Sequence, residues 1–389
     1  MKIKYGGKIM KAIINGKILT KDKILENKVL LFDKEIVDIC DEIDNENVEI
    51  IDAKNLYISP GLIDIHIHGS NNYDTMDKTD IAVEEIGKSI AKTGVTSFLP
   101  TTMTMSKDNI YNALDNIRHS MNKNYGGAQV LGAHLEGPFI NSKYKGAQSD
   151  KYILQPNFSF IKNYTDVIKI ISYSPETDVN LQFTKKIKEN SNIILSIAHT
   201  NATYDESIRA IENGVSHITH LFNAMTPLNH RELGVVGAAL TSNVYCEIIC
   251  DNIHINSNLY QFVLKNKGKD KVILITDSMR AGCMPNGKYD LGGQEVFVNN
   301  GVARLSSGNL AGSVLTLNKA VYNFMKNTNL TINEAINLAS INPAKSINIS
   351  DTKGSLEINK DADISLFDEE INCYMSILRG EIIYNNLTK

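Results

Sequence analysis

The sequence predicts an α/β fold: a (β/α)8 TIM-like barrel with a small β-sandwich domain formed by the N- and C-terminal segments. Three observations carry this. In the middle of the 389-residue chain, apolar runs of strand length alternate with amphipathic helical stretches, the pattern of parallel strands joined by crossover helices. Eight such units over roughly 280 residues suit one barrel. The two ends, by contrast, carry short apolar runs broken by turn residues, and these read as strands that pair with each other.

From Lys11 to about Tyr57 the runs are "AIINGKIL", "KVLLFDKEIVDIC" and "VEIIDAKNLYI", with Asn15-Gly16 as a hairpin signal. The barrel strands are predicted at Leu62–His68, Val95–Pro100, Val130–Leu135, Val167–Tyr173, Ile193–Ala198, His217–Leu221, Val244–Cys250 and Val272–Thr276. Helices fall between them, for example at Asp80–Lys92 and Asn256–Asn266. The tail returns to short strands, "GSLEINKDADISLFD" and then "SILRGEIIY" with its own Arg379-Gly380 turn. The predicted division is therefore 11–58 with 347–389 as the small β domain and 59–346 as the barrel.

Bulk properties exclude several classes. A net charge of -4 with mixed signs gives no electrostatic case for nucleic acid. Five cysteines without a C-x-x-C argue against a disulfide framework and a zinc ribbon, and Cys246 and Cys250 in "YCEIIC" read as core. No apolar run is long enough to span a membrane, and the basic start lacks the apolar stretch of a signal peptide. A reducing, cytoplasmic setting is expected. The strand pattern begins just after Met10, so residues 1–9 read as a loose extension.

Chemistry in such a barrel collects at the carboxyl ends of the strands. "LIDIHIHGS" ends strand one with His66 and His68, which share a face about 6.6 Å apart along the backbone, close enough to converge on one ion. Strand three, "QVLGAHLEGPF", delivers Glu136; strand five, "NIILSIAHT", ends at His199; strand six, "SHITHLFNAM", carries His220; strand eight, "VILITDS", ends at Asp277. Each residue alone has a plainer reading, as a satisfied core histidine or a helix cap. Five strands ending in ligand-type side chains read together as a metal centre. His134 and His217 lie further back and are expected to be supporting or core residues.

The ligand set exceeds the shell of a single zinc, which takes three protein ligands at a catalytic site. Two ions need a bridging anion, and Glu136 lies between the pairs His66/His68 and His199/His220 in barrel order. Asp277 is expected to be the general base and acid, with contact to one metal as a second role. The donor set suits Zn, Fe, Mn or Co, one or two per chain.

These residues resemble the amidohydrolase superfamily, and within it the N-acetylglucosamine-6-phosphate deacetylase family. The resemblance rests on "PGLIDIHIHG", "HLEGPF", "AHT", "HLFNAM", "HRELGVVGAA", "ITDSMRAG", "LAGSVLTL" and the tail motif from "NPAK" to "KGSLEINKDADI". It implies hydrolysis of the acetamide of an amino-sugar phosphate, with Glu136, His199 and His220 as metal ligands and Asp277 as acid/base. It also implies substrate contacts from Asn223, Ala224, His254 and Leu310, Ala311 and Gly312, with Arg231 on the phosphate. Ala147 and Gln148 belong to the same set, Gln148 standing where some relatives have His. Many superfamily members bridge their metals with a modified lysine; Lys169 is on strand four, but Glu136 makes that bridge unnecessary. Relatives suggest a homodimer. The alternatives are the galactosamine-6-phosphate epimer's deacetylase, or a non-catalytic scaffold, which would be expected to have lost ligands retained here.

Overall fold

The computed structural model describes residues 10–43 and 48–387; the extension expected at residues 1–9 lies outside them. Its centre is a curled sheet of eight parallel strands in chain order. These are β1 (Leu62–Ile67), β2 (Val95–Pro100), β3 (Ala133–Glu136), β4 (Ile168–Tyr173), β5 (Ile194–Ile197), β6 (His217–Ile218), β7 (Tyr245–Ile249) and β8 (Val272–Ile275). β1 pairs with β2, and β3 through β8 pair successively, all parallel. Between the two groups Thr101 bridges His134, and Gln129–Val130, just before β3, pairs parallel with β2. At the other seam Ile67 bridges Ser278, and the amides of Asp277 and His68 donate to the carbonyls of His66 and Ser278 at 2.9 and 2.8 Å.

Two strands are shorter than their apolar runs suggest. The third is broken at Gly132, where φ is +145° and an added Cβ would lie 2.5 Å from the Val167 carbonyl oxygen. The sixth stops at Ile218 because His220 and Phe222 turn left-handed, at φ +32° and +80°. Helices pack outside by their apolar stripes. In Ala82–Ala91 the buried Val83, Ile86 and Ile90 recur at helical spacing, and Asn258–Lys267 buries Tyr260, Val263 and Leu264. The sheet side of this core is filled by fully buried Ile65, Phe98, Leu135, Ile170 and Ile248, where truncation to Ala costs about 2–5 kcal/mol per residue.

The chain ends build two further sheets. Met10–Ile14 lies between Val29–Phe32 and Val48–Asp52, while Lys17–Leu19 and Tyr57–Pro60 join Ile364–Phe367, Cys373–Leu378 and Glu381–Asn385. Ile13, Ile18, Phe32, Ile58, Ile364 and Leu366 share one buried cluster. The Asn15-Gly16 hairpin expectation is wrong: the strands on either side enter different sheets. Asn15 does adopt φ +54°, but the amides of Lys17, Ala53 and Asn55 bond across the corner to Leu56, Ile14 and Asn15, so the chain crosses onto residues 52–58. Arg379-Gly380, both left-handed, does turn an antiparallel hairpin.

A three-stranded antiparallel insert follows β8, at Gly287–Leu291, Gln294–Asn299 and Val302–Leu305, and the sequence reading did not anticipate it. Its Leu291, Val296, Val298 and Ala303 pack on Met103, Met279 and Ala311 beside the carboxyl ends of the strands. Among the described residues, no helix is long and apolar enough to cross a membrane.

Candidate metal centre

All six strand-end residues singled out above converge at that end of the sheet, and all six are buried. β1 carries His66, His68 follows directly after it, and β3 ends on Glu136. His199, His220 and Asp277 follow β5, β6 and β8, each in the left-handed region at φ +42°, +32° and +48°. Such backbone is uncommon outside glycine, costs on the order of 1 kcal/mol or more, and clusters at functional sites. Here it turns each side chain off its strand toward one point.

That point is Glu136. Its Oε1 lies 3.2 Å from His199 Nε2, 3.1 Å from His220 Nε2 and 3.6 Å from His66 Nε2. Its Oε2 lies 3.3 Å from His68 Nε2. Asp277 Oδ1 reaches the first pair as well, 3.5 Å from His66 Nε2 and 3.2 Å from His68 Nε2. Two triplets, His66/His68/Glu136 and Glu136/His199/His220, bring ligand atoms within 4.8 Å of one another. The donor chemistry fits divalent metal: imidazole nitrogens, carboxylate oxygens, and a buried His66 Nε2 with no hydrogen-bond partner among the described residues.

The electrostatics agree. Burial alone would raise the carboxyl of Glu136, but the facing His199 and His66, with hydrogen bonds from His199 and His220, hold it well below the usual range. Burial likewise opposes ionisation of Asp277, yet His66 and His68 take it down to about 2. In return, and against burial, Asp277 and Glu136 raise the rings of His66 and His68. The pocket thus stabilises carboxylates and demands positive charge beside them.

Three residues carry more than the sequence reading assigned them. Gln148, expected only as a substrate contact, donates from Nε2 to Glu136 Oε2 at 2.7 Å and accepts the Thr104 amide at 2.7 Å. Glu247, in the middle of β7, lies 3.0 Å from His66 Nδ1. Asp64 shares the inward face with His66 and His68, accepts from Thr276 Oγ1 at 2.6 Å, and is pushed up to about 7 by burial. A lone charged residue inside each apolar strand, "LIDI" and "YCEII", was the available signal. His134 spends both ring nitrogens, on the Ile65 carbonyl and the Ser172 hydroxyl, and His217 is fully buried in the core.

A cavity of about 460 Å³ opens above the cluster. Its wall includes Ala147, Gln148, Asn223, Ala224, His254, Leu310 and Gly312 beside His68, Glu136, His199, His220 and Asp277. Ala311 is not on that wall; it is buried beneath with Met279 and Val296. Nor is Arg231, which is exposed on a loop whose turn Asn229 holds by accepting the Arg231 amide at 3.1 Å. Lys169 alternates outward on β4 and lies against Gly132. His254 is paired with Asp251 at 2.7 Å, and although burial lowers its pKa, that carboxylate raises it overall.

Residues 57–384 match the amidohydrolase family. Over 91% of its length the chain is 39% identical to 92% of an N-acetylglucosamine-6-phosphate deacetylase from Lysinibacillus sphaericus. It is 33% identical, over 84% of its length and 87% of the relative's, to an N-acetylgalactosamine-6-phosphate deacetylase from Escherichia coli O157:H7. The crystal structure of N-acetylglucosamine-6-phosphate deacetylase from Pasteurella multocida superposes with a TM-score of 0.91 at 31% identity, covering 96% of this chain and 99% of that one.

Proposed function

The chain belongs to the amidohydrolase family, and we propose that it hydrolyses N-acetyl-D-glucosamine 6-phosphate to D-glucosamine 6-phosphate and acetate. The observation that carries the reading is Glu136, set between two histidine pairs and facing Asp277 at the floor of a cavity large enough for a sugar phosphate. A divalent ion held there would activate water and polarise the acetyl carbonyl. Zn, Fe, Mn and Co all suit the donors, in one or two copies.

The chain's own residues do the rest. Glu136 and the histidines would hold such an ion, and Gln148 fixes one oxygen of Glu136. Asp277, ionised and within reach of the histidine cluster, takes the proton of the attacking water and returns it to the amine as the C–N bond breaks. Asn223, Ala224, His254, Ala147, Gln148, Leu310 and Gly312 line the space for the sugar, with Ala311 behind them. His254, its pKa raised by the Asp251 carboxylate, is the ring on the wall suited to pair with the phosphate. Arg231 adds the phosphate contact that the family resemblance implies, and a homodimer is the assembly expected from relatives.

The same reading makes the curled sheet a (β/α)8 barrel closed at the Ile67–Ser278 seam, with 59–346 as its span and 11–58 plus 347–389 as a β-sandwich beside it. It places the enzyme in the cytoplasm, in amino-sugar breakdown. Acetate release from the gluco and galacto epimers of the sugar phosphate, with and without chelator, tests it. Faster turnover of the gluco epimer, abolished by chelator, is the expected result. A preference for the galacto epimer would move the assignment to the epimer's deacetylase, and turnover indifferent to chelator would end the metal mechanism.

A further inference from the structure

We infer that Glu247 is a positioning residue that fixes His66 as a metal ligand, an assignment that rests on the metal centre proposed above. Glu247 is fully buried in β7, and its Oε2 lies 3.0 Å from His66 Nδ1. The same oxygen faces the backbone amide of His220 at 3.4 Å, so one carboxylate touches both halves of the centre.

Tautomer is the argument. A neutral imidazole has one N–H, and a metal needs the nitrogen without it. His68 and His199 place Nδ1 against backbone carbonyls, those of Thr101 at 3.2 Å and Tyr144 at 2.9 Å, which can only accept. Their Nε2 atoms are thereby left for an ion. His66 has no such carbonyl on Nδ1 and has Glu247 instead. Glu247 Oε2, which also accepts the His220 amide, stands as acceptor where the other rings have a carbonyl, so the proton sits on Nδ1 and the lone pair on Nε2. Among the described residues that Nε2 has no hydrogen-bond partner, and it lies 3.6 Å from Glu136 and 3.5 Å from Asp277. A carboxylate–histidine–metal relay of this kind orients the ring and raises its basicity as a ligand.

A rival reading is a separate cation site, since His66, His134 and Glu247 also gather within 4.8 Å. His134 rules it out. Its Nδ1 donates to the Ile65 carbonyl at 2.9 Å, and its Nε2 accepts from the Ser172 hydroxyl at 2.7 Å, leaving no lone pair. The trio is a hydrogen-bonded support beneath the centre.

The test is metal content and affinity of the full-length protein, by elemental analysis and competition with a chromophoric chelator. Glu247→Gln keeps shape and fold but can present an N–H to the ring. It should weaken the ion on the His66/His68 side by roughly 10–100-fold and leave the ion on the His199/His220 side in place. Added to His66→Ala, it should change metal binding no further. In zinc-loaded wild type with 15N-labelled histidine, NMR should show the His66 proton on Nδ1, a readout that needs no variant to fold. Both ions retained by Glu247→Gln at wild-type affinity, a further metal loss on top of His66→Ala, or a proton on His66 Nε2 would each overturn the assignment. The proposed function survives those results while wild type binds metal and releases acetate; wild type that takes up no divalent ion would overturn both.

Discussion

The Nε2 atoms of His199 and His220 lie 3.3 Å apart, and both face Glu136 Oε1, at 3.2 and 3.1 Å. Two nitrogens bound at zinc distances to one tetrahedral ion are about 3.3–3.4 Å apart. This half of the centre is therefore spaced for an ion by the fold alone, with φ +42° and +32° at the two histidines as part of the cost. It should be the tighter site. The double variant His66→Ala, His68→Ala should keep one ion and lose the other, read by elemental analysis after metal supplementation. Wild type that never exceeds one ion in metal excess would end the two-ion reading.

Asp277 Oδ1 lies 3.5 Å from His66 Nε2 and 3.2 Å from His68 Nε2 and is held ionised, at about 2, by those rings against the cost of burial. Asp277→Asn is nearly isosteric, and Asn tolerates the left-handed φ of +48° better than other substitutes. Fold and most metal should persist. The rate should fall by roughly 10²–10⁴, the usual worth of a general acid–base group, with kcat dropping and KM nearly unchanged. Steady-state kinetics beside metal analysis decide it: near-normal turnover would remove Asp277 from the proton path, and loss of metal with activity would make it chiefly a ligand.

What the sequence disclosed and what it hid follow one physical line. His66, His68, Glu136, His199, His220 and Asp277 were legible because each interrupts an apolar strand at its end, where a parallel sheet exposes side chains to a site. Glu247 and Asp64 sit inside their strands, and nothing local says which partner receives a buried carboxylate; His66 and Thr276 lie 181 and 212 positions away in the chain. Gln148's bond to Glu136 depends on how a loop folds back, which strand periodicity does not encode. Arg231 had sequence context and no spatial one. The Gly287–Leu305 insert did carry turn signals, Gly292-Gly293 and Asn300-Gly301, but its strands are half exposed and mimic loop composition.

Asp251 sets the charge of His254 on the cavity wall. Burial lowers the ring's pKa, the carboxylate at 2.7 Å raises it above the ordinary value, and Asp251→Asn removes the second effect. The variant ring should then lose its proton at lower pH. Wild type and variant should bind the sugar phosphate alike in acid and diverge as pH rises, with KM in the variant about tenfold higher at neutral pH, the scale of one charge-assisted hydrogen bond. KM measured across pH 5.5–8 checks this. Parallel profiles would take His254 off the phosphate.

The acid side of the stability curve should report His217. This ring is fully buried, stands beside Tyr245, has no partner on Nε2 among the described residues, and is pushed down to about 3 by burial with a contribution from Lys271. The folded state therefore holds it neutral, while the unfolded chain protonates it near 6.5. A depressed pKa gives stability that is whole above the unfolded value and lost as pH falls from about 6.5 toward 3. At pH 4.5 the loss from this one group is about 2–3 kcal/mol, at 1.36 kcal/mol per pH unit. His217→Phe keeps an aromatic ring against Tyr245 and cannot protonate. It should cost stability at pH 7.5 through imperfect packing and the lost hydrogen bond with Ser216, yet lose less than wild type on going to pH 4.5. Urea unfolding of both metal-stripped proteins at the two pH values gives the comparison, with metal removed so that ligand protonation does not intrude. Equal acid losses in the two proteins would mean that His217 is already free to protonate in the folded state, and that the acid sensitivity arises in the ligand cluster instead.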